Sequence, residues 1–420
     1  MTRVHSSFAT INSLKILFLT FYYPPDLCAG SFRAKSLVNA IQGMAGKDFQ
    51  IEILTTMPNR YSSFLSHVRE YEAVGGLIIR RIPLPSHQSG MVDQARAFLA
   101  FARGVLRETR GRKWDVVIAT SSRLMTAALG AWIAKHSGSP LYLDIRDLFT
   151  NTMSDLLNGS PLWVLLSIFR KLESWALNSA SRVNVVSSAF LDHVQAIAPQ
   201  HKYRLFTNGI DDVFLDVDFS GKRRGYVGFP FGILLDDSGL KSLPLVLYAG
   251  NMGDGQGLHN VLPKAAKLLE GKARIRLIGD GGRRIELKRA LSNASVSNVE
   301  LLDPVPRSQL YAHYREADIL FLHLNDHPAF LKVLPSKLFE YAAIGKPVLA
   351  GVAGYAADFI RQEIKGAEVF KPCDAEGMAK AFERLLVSQI PIDRAAFCAK
   401  YARKNIMRDM ATDILALGTV

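Results

Sequence analysis

Short apolar segments alternate with helix-length segments along this chain, and the whole pattern occurs twice. Most of the short segments are apolar throughout, which is typical of parallel strands that connecting helices cover on both faces of a sheet. The sequence therefore predicts two α/β domains, each built on a doubly wound parallel sheet. The predicted strands are 15–20, 50–55, 77–82, 115–120, 140–144 and 182–187 in the first half, and 245–249, 275–278, 299–302, 318–323, 347–350 and 367–370 in the second.

A stretch without hydrophobic periodicity separates the two halves. It contains the runs Arg-Arg-Gly and Asp-Asp-Ser-Gly, which are typical of linkers and surface insertions. We therefore predict an N-terminal Rossmann-like domain at 1–212, a linker or insertion at 213–243 and a C-terminal Rossmann-like domain at 244–395. The last segment, 396–420, is predicted to be a helix that either packs on its own domain or crosses back to the first.

Composition narrows the functional classes. The 420 residues carry 51 lysines and arginines against 38 acidic residues, a net charge of +13. Residues 1–210 hold 23 of the basic and 13 of the acidic side chains, so the excess suggests an anionic partner for the first half.

The three cysteines form no CxxC pair, which excludes a disulfide scaffold and a cysteine-based zinc site. We expect a cytoplasmic protein, because no apolar run reaches the ~20 residues of a bilayer span and no signal-peptide layout is present.

Glycine-rich segments follow two predicted strands of the second half. Residues 249–257 leave a strand and open a helix, and residues 279–282 follow the next strand. Such βα turns let backbone N–H groups approach a phosphate, although the first could also be only a flexible turn. The GxGxxG fingerprint with its downstream acidic residue is not cleanly present, which disfavours a nicotinamide-dependent enzyme.

The most specific local pattern lies at 332–347, with the sequence Lys-Val-Leu-Pro-Ser-Lys-Leu-Phe-Glu-Tyr-Ala-Ala-Ile-Gly-Lys-Pro. Its proline and glycine predict a helix over 335–344, whose first amides would form a ready anion site. Ser336, Lys337 and Glu340 share one face of that helix. The pattern predicts a diphosphate at the helix start and a carboxylate one turn deeper for ribose hydroxyls. The alternative is a surface helix with a Lys–Glu pair.

This helix resembles the one in glycosyltransferase family 4 that places a glutamate before a Gly-x-Pro-Val turn, and the resemblance covers nearly the whole chain. Residues 21–33 are similar to the family's first loop, and 207–211 resembles the Asn-Gly-Ile-Asp signature that closes its first domain. A narrower resemblance points to the branch that builds O-antigen, capsule and colanic acid, which includes an N-acetyl-L-fucosamine transferase. The segments behind it are 57–61, 83–90, 144–148, 250–257 and 335–341.

The resemblance implies a GT-B fold, in which two Rossmann-like domains face a cleft. It also implies sugar transfer with retention from a nucleotide sugar, with uridine as the expected base and with no obligatory metal or other cofactor. The donor is expected mainly on 244–395 and the acceptor on 1–210. The residues predicted to bind the donor are Gly30, Gly250, Asn251, Gln256, Gly257, Gly279, Lys332, Ser336 and Glu340.

Three positions depart from the family's wider pattern. Lys332 stands where the first of two glutamates is expected, and Asn251 and Gln256 stand where an arginine and a lysine commonly meet the donor phosphates. We infer that positive charge has moved to the neighbouring turn. Because charge builds on the departing phosphate in the transition state, we predict a catalytic role for Lys337 there. The sequence does not indicate which residue takes the usual role of the first glutamate.

The predicted acceptor residues lie in the first half. Asp147 is predicted to orient or deprotonate the acceptor hydroxyl and Arg146 to bind its phosphate, unless the two only brace their loop. His87 is a predicted acid/base residue, unless it is an ordinary surface histidine. Arg60 is a further predicted acceptor contact.

Basic residues concentrate between positions 80 and 113, and the apolar segment 162–169 precedes Arg170 and Lys171. Lysine and arginine side chains are attracted to anionic leaflets. We therefore expect peripheral binding to the inner face of the cytoplasmic membrane and a polyprenyl-diphosphate-linked acceptor. The apolar segment could equally be a core helix.

Three rival functions stay open. A sugar-nucleotide 2-epimerase can share this architecture, and a non-catalytic relative could serve as an assembly partner, because Asn251 and Gln256 depart from the family pattern. The charge alone would also suit a nucleic-acid-binding protein. That reading is disfavoured because the sequence lacks zinc fingers, aromatic RNA-binding motifs and a basic helix with interleaved aromatics.

Overall fold

The computed structural model describes residues 14–45, 49–59, 68–85, 91–121, 124–157, 163–215, 243–388 and 392–418. The chain divides into two compact units, which we call unit 1 (1–208 with 403–420) and unit 2 (209–402). Each is an α/β unit with a parallel sheet, as predicted. Arg60, His87 and most of the predicted linker lie outside the described residues. None of the helices in these ranges combines the length and apolarity that a bilayer span needs.

Unit 1 contains, in its described part, the strands β1 (Lys15–Leu19), β2 (Gln50–Thr56), β3 (Tyr71–Val74), β4 (Leu77–Ile82), β5 (Val116–Thr120), β6 (Leu141–Ile145), β7 (Arg182–Val185) and β8 (Tyr203–Leu205). They lie in the order β3-β4-β2-β1-β5-β6-β7-β8. Only β3 is antiparallel to its neighbour in this sheet of described strands. The central strands are almost fully buried, because helices cover both faces.

The helices of unit 1 connect these strands, and the end of the chain adds one more. They are α1 (Ala29–Met44), α2 (Met91–Thr109), α3 (Leu124–Ser137), α4 (Phe149–Leu157), α5 (Trp163–Asn178), α6 (Leu191–Ile197) and α14 (Arg403–Leu415). Helix α14 packs along α1. Its buried residues Met407, Met410 and Ile414 join the core formed with β1 and β2.

Unit 2 repeats the scheme with a sheet in the order β11-β10-β9-β12-β13-β14, parallel throughout its described strands. The strands are β9 (Leu245–Ala249), β10 (Arg274–Ile278), β11 (Val299–Leu302), β12 (Ile319–His323), β13 (Val348–Gly351) and β14 (Ala367–Phe370). The helices are α7 (Leu258–Leu268), α8 (Arg284–Asn293), α9 (Arg307–Glu316), α10 (Lys337–Ile344), α11 (Gly354–Glu363), α12 (Ala375–Val387) and α13 (Ala395–Tyr401). Two apolar clusters fill the two faces of this sheet.

The structure corrects the prediction of one long C-terminal helix. Helix α13 ends at Tyr401 and belongs to unit 2, whereas α14 starts at Arg403 and belongs to unit 1. The helix breaks because Ala402 adopts an extended ψ of 116° and forms a β-bridge with Ile210. The Ile210 N–H then donates to the Tyr401 carbonyl at 2.8 Å, which uses an acceptor at the helix end.

Strands β3 and β8 were not predicted from the sequence. Both are short strands at the two edges of the sheet, and their side chains are half-buried or exposed. Glu72 interrupts β3 and Arg204 interrupts β8, so no apolar run marks either strand in the sequence.

Candidate functional site

Two glycine turns meet at the carboxyl ends of β9 and β10. The Gly250 N–H donates to the Ile278 carbonyl at 2.8 Å, so the ladder between the strands continues into the turns. A Cβ on Gly279 would lie 1.9 Å from the Gly250 carbonyl oxygen. Gly250 and Gly279 have φ values of 152° and 147°, which side chains rarely allow. The two predicted donor glycines therefore lie backbone against backbone.

The ammonium group of Lys337 lies over Gly250. Its side chain extends from the first turn of α10, and a Cβ on Gly250 would lie 2.2 Å from Nζ. Nζ is 5.6 Å from the ring centre of Tyr248 and 5.9 Å from that of Tyr341. Among the described residues no carboxylate lies within ion-pair distance of Nζ. The structure thus places the Lys337 ammonium beside Gly250 and near the rings of Tyr248 and Tyr341.

Burial lowers the pKa of Lys337 to about 8, although the charge of Glu340 acts in the opposite direction. Both rings beneath it are held in place. The Ala249 N–H donates to the Tyr341 hydroxyl at 3.1 Å, and the Tyr248 hydroxyl donates to the Asn251 carbonyl at 2.5 Å. Since no described carboxylate pairs with this half-buried cation, an anion bound beside it would compensate for the solvation that burial removes.

Glu340 is held one turn deeper on α10 by an arginine from another helix. Arg307 Nη2 donates to Glu340 Oε1 at 3.0 Å and also forms an ion pair with Asp211. The guanidinium carbon lies 4.9 Å from the ring centre of Phe214. Arg307 therefore orients the carboxylate that the sequence assigned to ribose hydroxyls.

The turn between β9 and α7 is organised by its own side chains. Asn251 Nδ2 donates to Gln256 Oε1 at 2.6 Å, and the same oxygen accepts the Gly253 N–H at 3.2 Å. Gly257 has φ 56° and closes the 3-10 turn Asp254–Gln256 before α7 begins. Asn251 and Gln256, the two departures from the resembled family's pattern, are therefore hydrogen-bonded to each other and hold the turn.

The start of α10 differs from the prediction in one respect. The helix begins at Lys337 and not at Pro335, because the Leu338 N–H donates to the Pro335 carbonyl at 3.1 Å. The Phe339 N–H donates likewise to the Ser336 carbonyl at 3.2 Å. The amides offered by this turn are therefore those of Ser336 and Lys337. Lys332 is half-buried and ends the preceding 3-10 turn, Pro328–Lys332.

In unit 1, Gly30 and Arg146 lie together. Gly30 is in the first turn of α1, and a Cβ there would lie 3.0 Å from Arg146 Nη1. Burial lowers the pKa of Arg146, and its Nη2 donates weakly to Asn208 Oδ1 at 3.4 Å. Arg146 Nε is buried and has no hydrogen-bond partner among the described residues. The guanidinium therefore retains capacity for a further acceptor.

Asp147 follows Arg146, is exposed, and lines a small cavity with Ser121, Phe149 and Glu173. Glu173 is itself 8% exposed and was not singled out in the sequence. Its Oε2 accepts the Thr150 hydroxyl at 2.5 Å. This buried carboxylate lies in α5, more than twenty residues from Asp147, so no local pattern links the two.

Behind these residues a buried ion pair fixes the edge of the sheet. Arg33 of α1 makes two hydrogen bonds, 2.9 and 3.0 Å, to Asp144 at the end of β6. Burial alone would raise the pKa of Asp144, but the charge and hydrogen bonds of Arg33 outweigh it and lower that pKa. Arg33 also donates to the carbonyls of Phe206 and Thr207. Asp144 is therefore a structural anchor for the loop that carries Arg146 and Asp147.

Sequence comparison places known families on both halves of the chain. The family described as Glycosyl transferases group 1 matches residues 236–405, and the Glycosyl transferase 4-like domain matches residues 34–209. The chain is 30% identical over 355 residues to Escherichia coli K-12 WcaI, named as a glycosyl transferase of colanic acid biosynthesis. That alignment covers 79% of this chain and 82% of WcaI.

Solved structures show the same architecture. Anabaena HepE in complex with UDP-glucose matches with a TM-score of 0.64 at 15% identity, covering 96% of this chain and 99% of HepE. The UDP-forming trehalose-phosphate synthase of Burkholderia xenovorans, in complex with glucose-6-phosphate, matches with a TM-score of 0.65 at 13% identity. That match covers 96% of this chain and 100% of the synthase. At these identities the likeness concerns the fold alone, which is GT-B, as expected.

Proposed function

Since the chain belongs to the GT-B glycosyltransferases of group 1, we propose that it transfers a sugar, with retention, from a UDP-linked donor to a lipid-diphosphate-linked saccharide. The narrower resemblance makes N-acetyl-L-fucosamine our candidate sugar, and WcaI supports a place in surface polysaccharide synthesis. The observation that carries the proposal is the Lys337 ammonium, half-buried over Gly250, with no paired carboxylate in the part of the chain that the structure describes.

The chemistry of the reaction explains why such a cation is useful. Breaking the bond between the sugar and the nucleotide leaves negative charge on the departing diphosphate, while positive charge develops on the sugar ring. A fixed cation beside that oxygen stabilises the transition state more than the ground state, because the charge it meets is growing. The amides of Ser336 and Lys337 would add to the field at the same turn.

The nucleoside end of the donor would bind deeper along α10. Glu340 uses Oε1 for Arg307, and we propose that Oε2 accepts the ribose hydroxyls. HepE was solved with UDP-glucose and also with UDP and glucose, which supports a uridine nucleotide as the first ligand to test. We assign Gly250, Gly257 and Gly279 to the close approach of backbone to the diphosphate.

For the acceptor we propose the unit 1 residues Arg146 and Asp147, with Gly30 giving the arginine room. The spare donor capacity of Arg146 suits a phosphate oxygen, since a guanidinium can bind two oxygens of one phosphate. Asp147 would orient the attacking hydroxyl and receive its proton. Arg60 and His87 stay as predictions for this unit.

We propose that unit 1 docks on an anionic bilayer through a surface that we call the basic face, on α2, α3 and α5. Helix α3 packs against both of the other helices. Six cationic residues of these helices are exposed, and Arg110 directly after α2 is exposed as well, whereas the described acidic side chains of the three helices are all at least partly buried. The exposed cations within the helices are Arg96, Arg103, Arg107, Lys135, Arg170 and Lys171.

Exposed apolar side chains accompany these charges. On α5, Val164, Leu165 and Ile168 are 55%, 38% and 51% exposed, and Leu99 and Trp132 are exposed on α2 and α3. Mixed apolar and basic surface is typical of helices that lie at the membrane interface. This favours the interfacial interpretation of the α5 segment over a core helix and supports a location on the inner face of the cytoplasmic membrane.

Some basic residues of the same region do not contribute to this surface. Arg80 and Arg112 both bind the buried carboxylate of Glu52, and Arg81 pairs with Glu72. Arg80 also pairs with Glu108 at 3.5 Å, so these three arginines face three carboxylates within unit 1. The sequence count between positions 80 and 113 therefore overstates the charge that a membrane would meet.

The test is a direct binding and product experiment. Isothermal titration of the protein with UDP, GDP and dTDP should show selective binding of UDP, and Lys337→Met should weaken it, with exposed Lys288→Met as the matched control. The purified protein is then incubated with UDP-N-acetyl-L-fucosamine, with and without a polyprenyl-diphosphate saccharide. NMR then assigns the anomeric configuration of the new lipid-linked product. The same configuration as in the donor indicates retention, and the opposite one indicates inversion.

Two outcomes would replace the proposal. A changed sugar nucleotide formed without acceptor would indicate the 2-epimerase. Absence of nucleotide binding in the folded wild-type protein would favour a non-catalytic assembly partner, in which Lys332, Asn251 and Gln256 no longer serve a donor.

A further inference from the structure

A buried polar cluster lies beneath the turn that precedes α7. We call it the support cluster; it consists of His323 at the end of β12, Asn325 just after it, and the backbone of Cys373 after β14. His323 is fully buried and Asn325 is 6% exposed. Gly351 makes room for the imidazole, since a Cβ there would lie 2.3 Å from His323 Cδ2. A polar ring enclosed in this way must be using its hydrogen bonds.

The support cluster binds every carbonyl oxygen of the 3-10 turn Asp254–Gln256. Asn325 Nδ2 donates to the Asp254 carbonyl and the Asn325 N–H to the Gly255 carbonyl, both at 2.9 Å. His323 Nδ1 completes the set at 2.6 Å from the Gln256 carbonyl. The Gln256 N–H donates to the Gly253 carbonyl at 3.2 Å, so among the described residues the N–H groups of Asp254 and Gly255 are the ones this turn leaves for a ligand.

The partners of His323 fix its tautomer. A carbonyl oxygen can only accept, so Nδ1 carries the hydrogen toward Gln256. The Cys373 N–H can only donate, and it meets Nε2 at 2.9 Å, so Nε2 is unprotonated. Burial lowers the pKa of His323 to about 4, which keeps the ring neutral near pH 7.

From this geometry we infer that His323, as the neutral Nδ1–H tautomer, is a positioning residue that holds the turn Asp254–Gln256 in the conformation that binds the donor diphosphate. The inference rests on the proposed donor site, although the link between His323 and the turn can be tested without ligand. His323 acts through Gln256 and through Cys373. Two strand ends and one turn meet at this single imidazole ring.

Two substitutions separate the two ring nitrogens. Asparagine places an amide near the position of Nδ1 and can keep the donor to Gln256, whereas glutamine places its amide near Nε2 and can keep the acceptor for Cys373. In ligand-free protein, amide hydrogen exchange should therefore show a crossed pattern. His323→Gln should accelerate exchange about tenfold at Gln256 and Gly257, whose N–H groups are hydrogen-bonded at this turn, and His323→Asn should do so at residues 371–374.

Binding of UDP supplies the functional readout. We expect His323→Gln to weaken UDP binding about tenfold and His323→Asn to stay within about threefold of wild type. Exposed His136→Gln in unit 1 is the control and should change neither measurement. Equal effects of the two variants on UDP binding, or weaker binding by His323→Asn, would overturn the inference.

A measurement on wild-type protein removes any dependence on how the variants fold. Long-range ¹H–¹⁵N spectra should show one histidine as the Nδ1–H tautomer, and its signals should be missing from both variants. An Nε2–H or doubly protonated ring at pH 7 would overturn the inference. Failure of wild-type protein to bind UDP would instead refute the proposed function, while the exchange pattern and the tautomer would still decide the role of His323.

Discussion

Replacing Lys337 with methionine should make the protein more stable and less able to bind its donor. Methionine keeps much of the apolar stem of lysine but carries no charge. In the folded state the pKa of Lys337 is about 8, against 10.5 for an ordinary lysine, which at about 1.4 kcal/mol per pH unit corresponds to about 3 kcal/mol of unfavourable charge burial. Because the side chain is partly exposed, we expect a gain of about 1–3 kcal/mol in unfolding free energy at pH 7.

The pH dependence follows from the direction of the shift. Below about pH 8 the lysine is charged in both the folded and the unfolded chain, so its full cost is present. Between about 8 and 10.5 the folded protein loses the proton first, and the advantage of Lys337→Met shrinks as pH rises. Urea unfolding at pH 7 and at higher pH measures this, with exposed Lys288→Met as the control.

Donor binding should change in the opposite direction. Losing a charged hydrogen bond to phosphate should weaken UDP binding about 10- to 100-fold, which titration calorimetry measures. In wild-type protein, UDP affinity should fall as pH rises through about 8, because the ammonium loses its proton there. A variant that is less stable than wild type, or that binds UDP as tightly, would refute the reasoning about a buried, unpaired cation.

Three further perturbations test other parts of the structure. Gly250→Ala should weaken UDP binding at least about tenfold in titration calorimetry, because the new Cβ would displace the Lys337 ammonium. The control variant Gly282→Ala should leave UDP binding unchanged, because the space around its new Cβ is open. Asp144→Asn should lower the unfolding free energy by about 3–5 kcal/mol at pH 7 by leaving Arg33 buried and unpaired, and in urea titrations the difference should vanish as acid protonates wild-type Asp144, whose folded pKa lies below 3.8. The double change Arg103→Glu with Arg107→Glu should reduce sedimentation with anionic vesicles by at least about tenfold at low salt, since each basic residue near such a surface contributes about 1 kcal/mol; unchanged binding would exclude the basic face.

Local sequence patterns were sufficient for the architecture. The alternation of short, mainly apolar segments with helix-length segments predicted the strands, and β9, β11 and β14 have the bounds that the sequence predicted. The glycine after α10 was predicted as well, and Gly345 has the left-handed φ of 71° that such a C-terminal position favours. These features depend on neighbours within a few residues, which the sequence displays directly.

The family assignment also rested on sequence, because motif order along the chain is itself sequence information. The same patterns predicted Gly250 and Gly279 as donor-binding residues and Lys337 as a catalytic residue. They could not reveal the contact between Lys337 and Gly250, since 87 positions separate the two in the chain. Only the parallel pairing of β9 with its neighbours brings the start of α10 over the end of β9.

Tertiary structure alone decided the electrostatics of the site. The pKa of Lys337 depends on burial between two aromatic rings, and the orientation of Glu340 depends on Arg307 from a different helix. The role of His323 depends on a turn 67 residues earlier in the chain. Desolvation and hydrogen bonding act through space, so residues far apart in the chain set them, whereas the periodicity that specifies strands and helices acts along the chain.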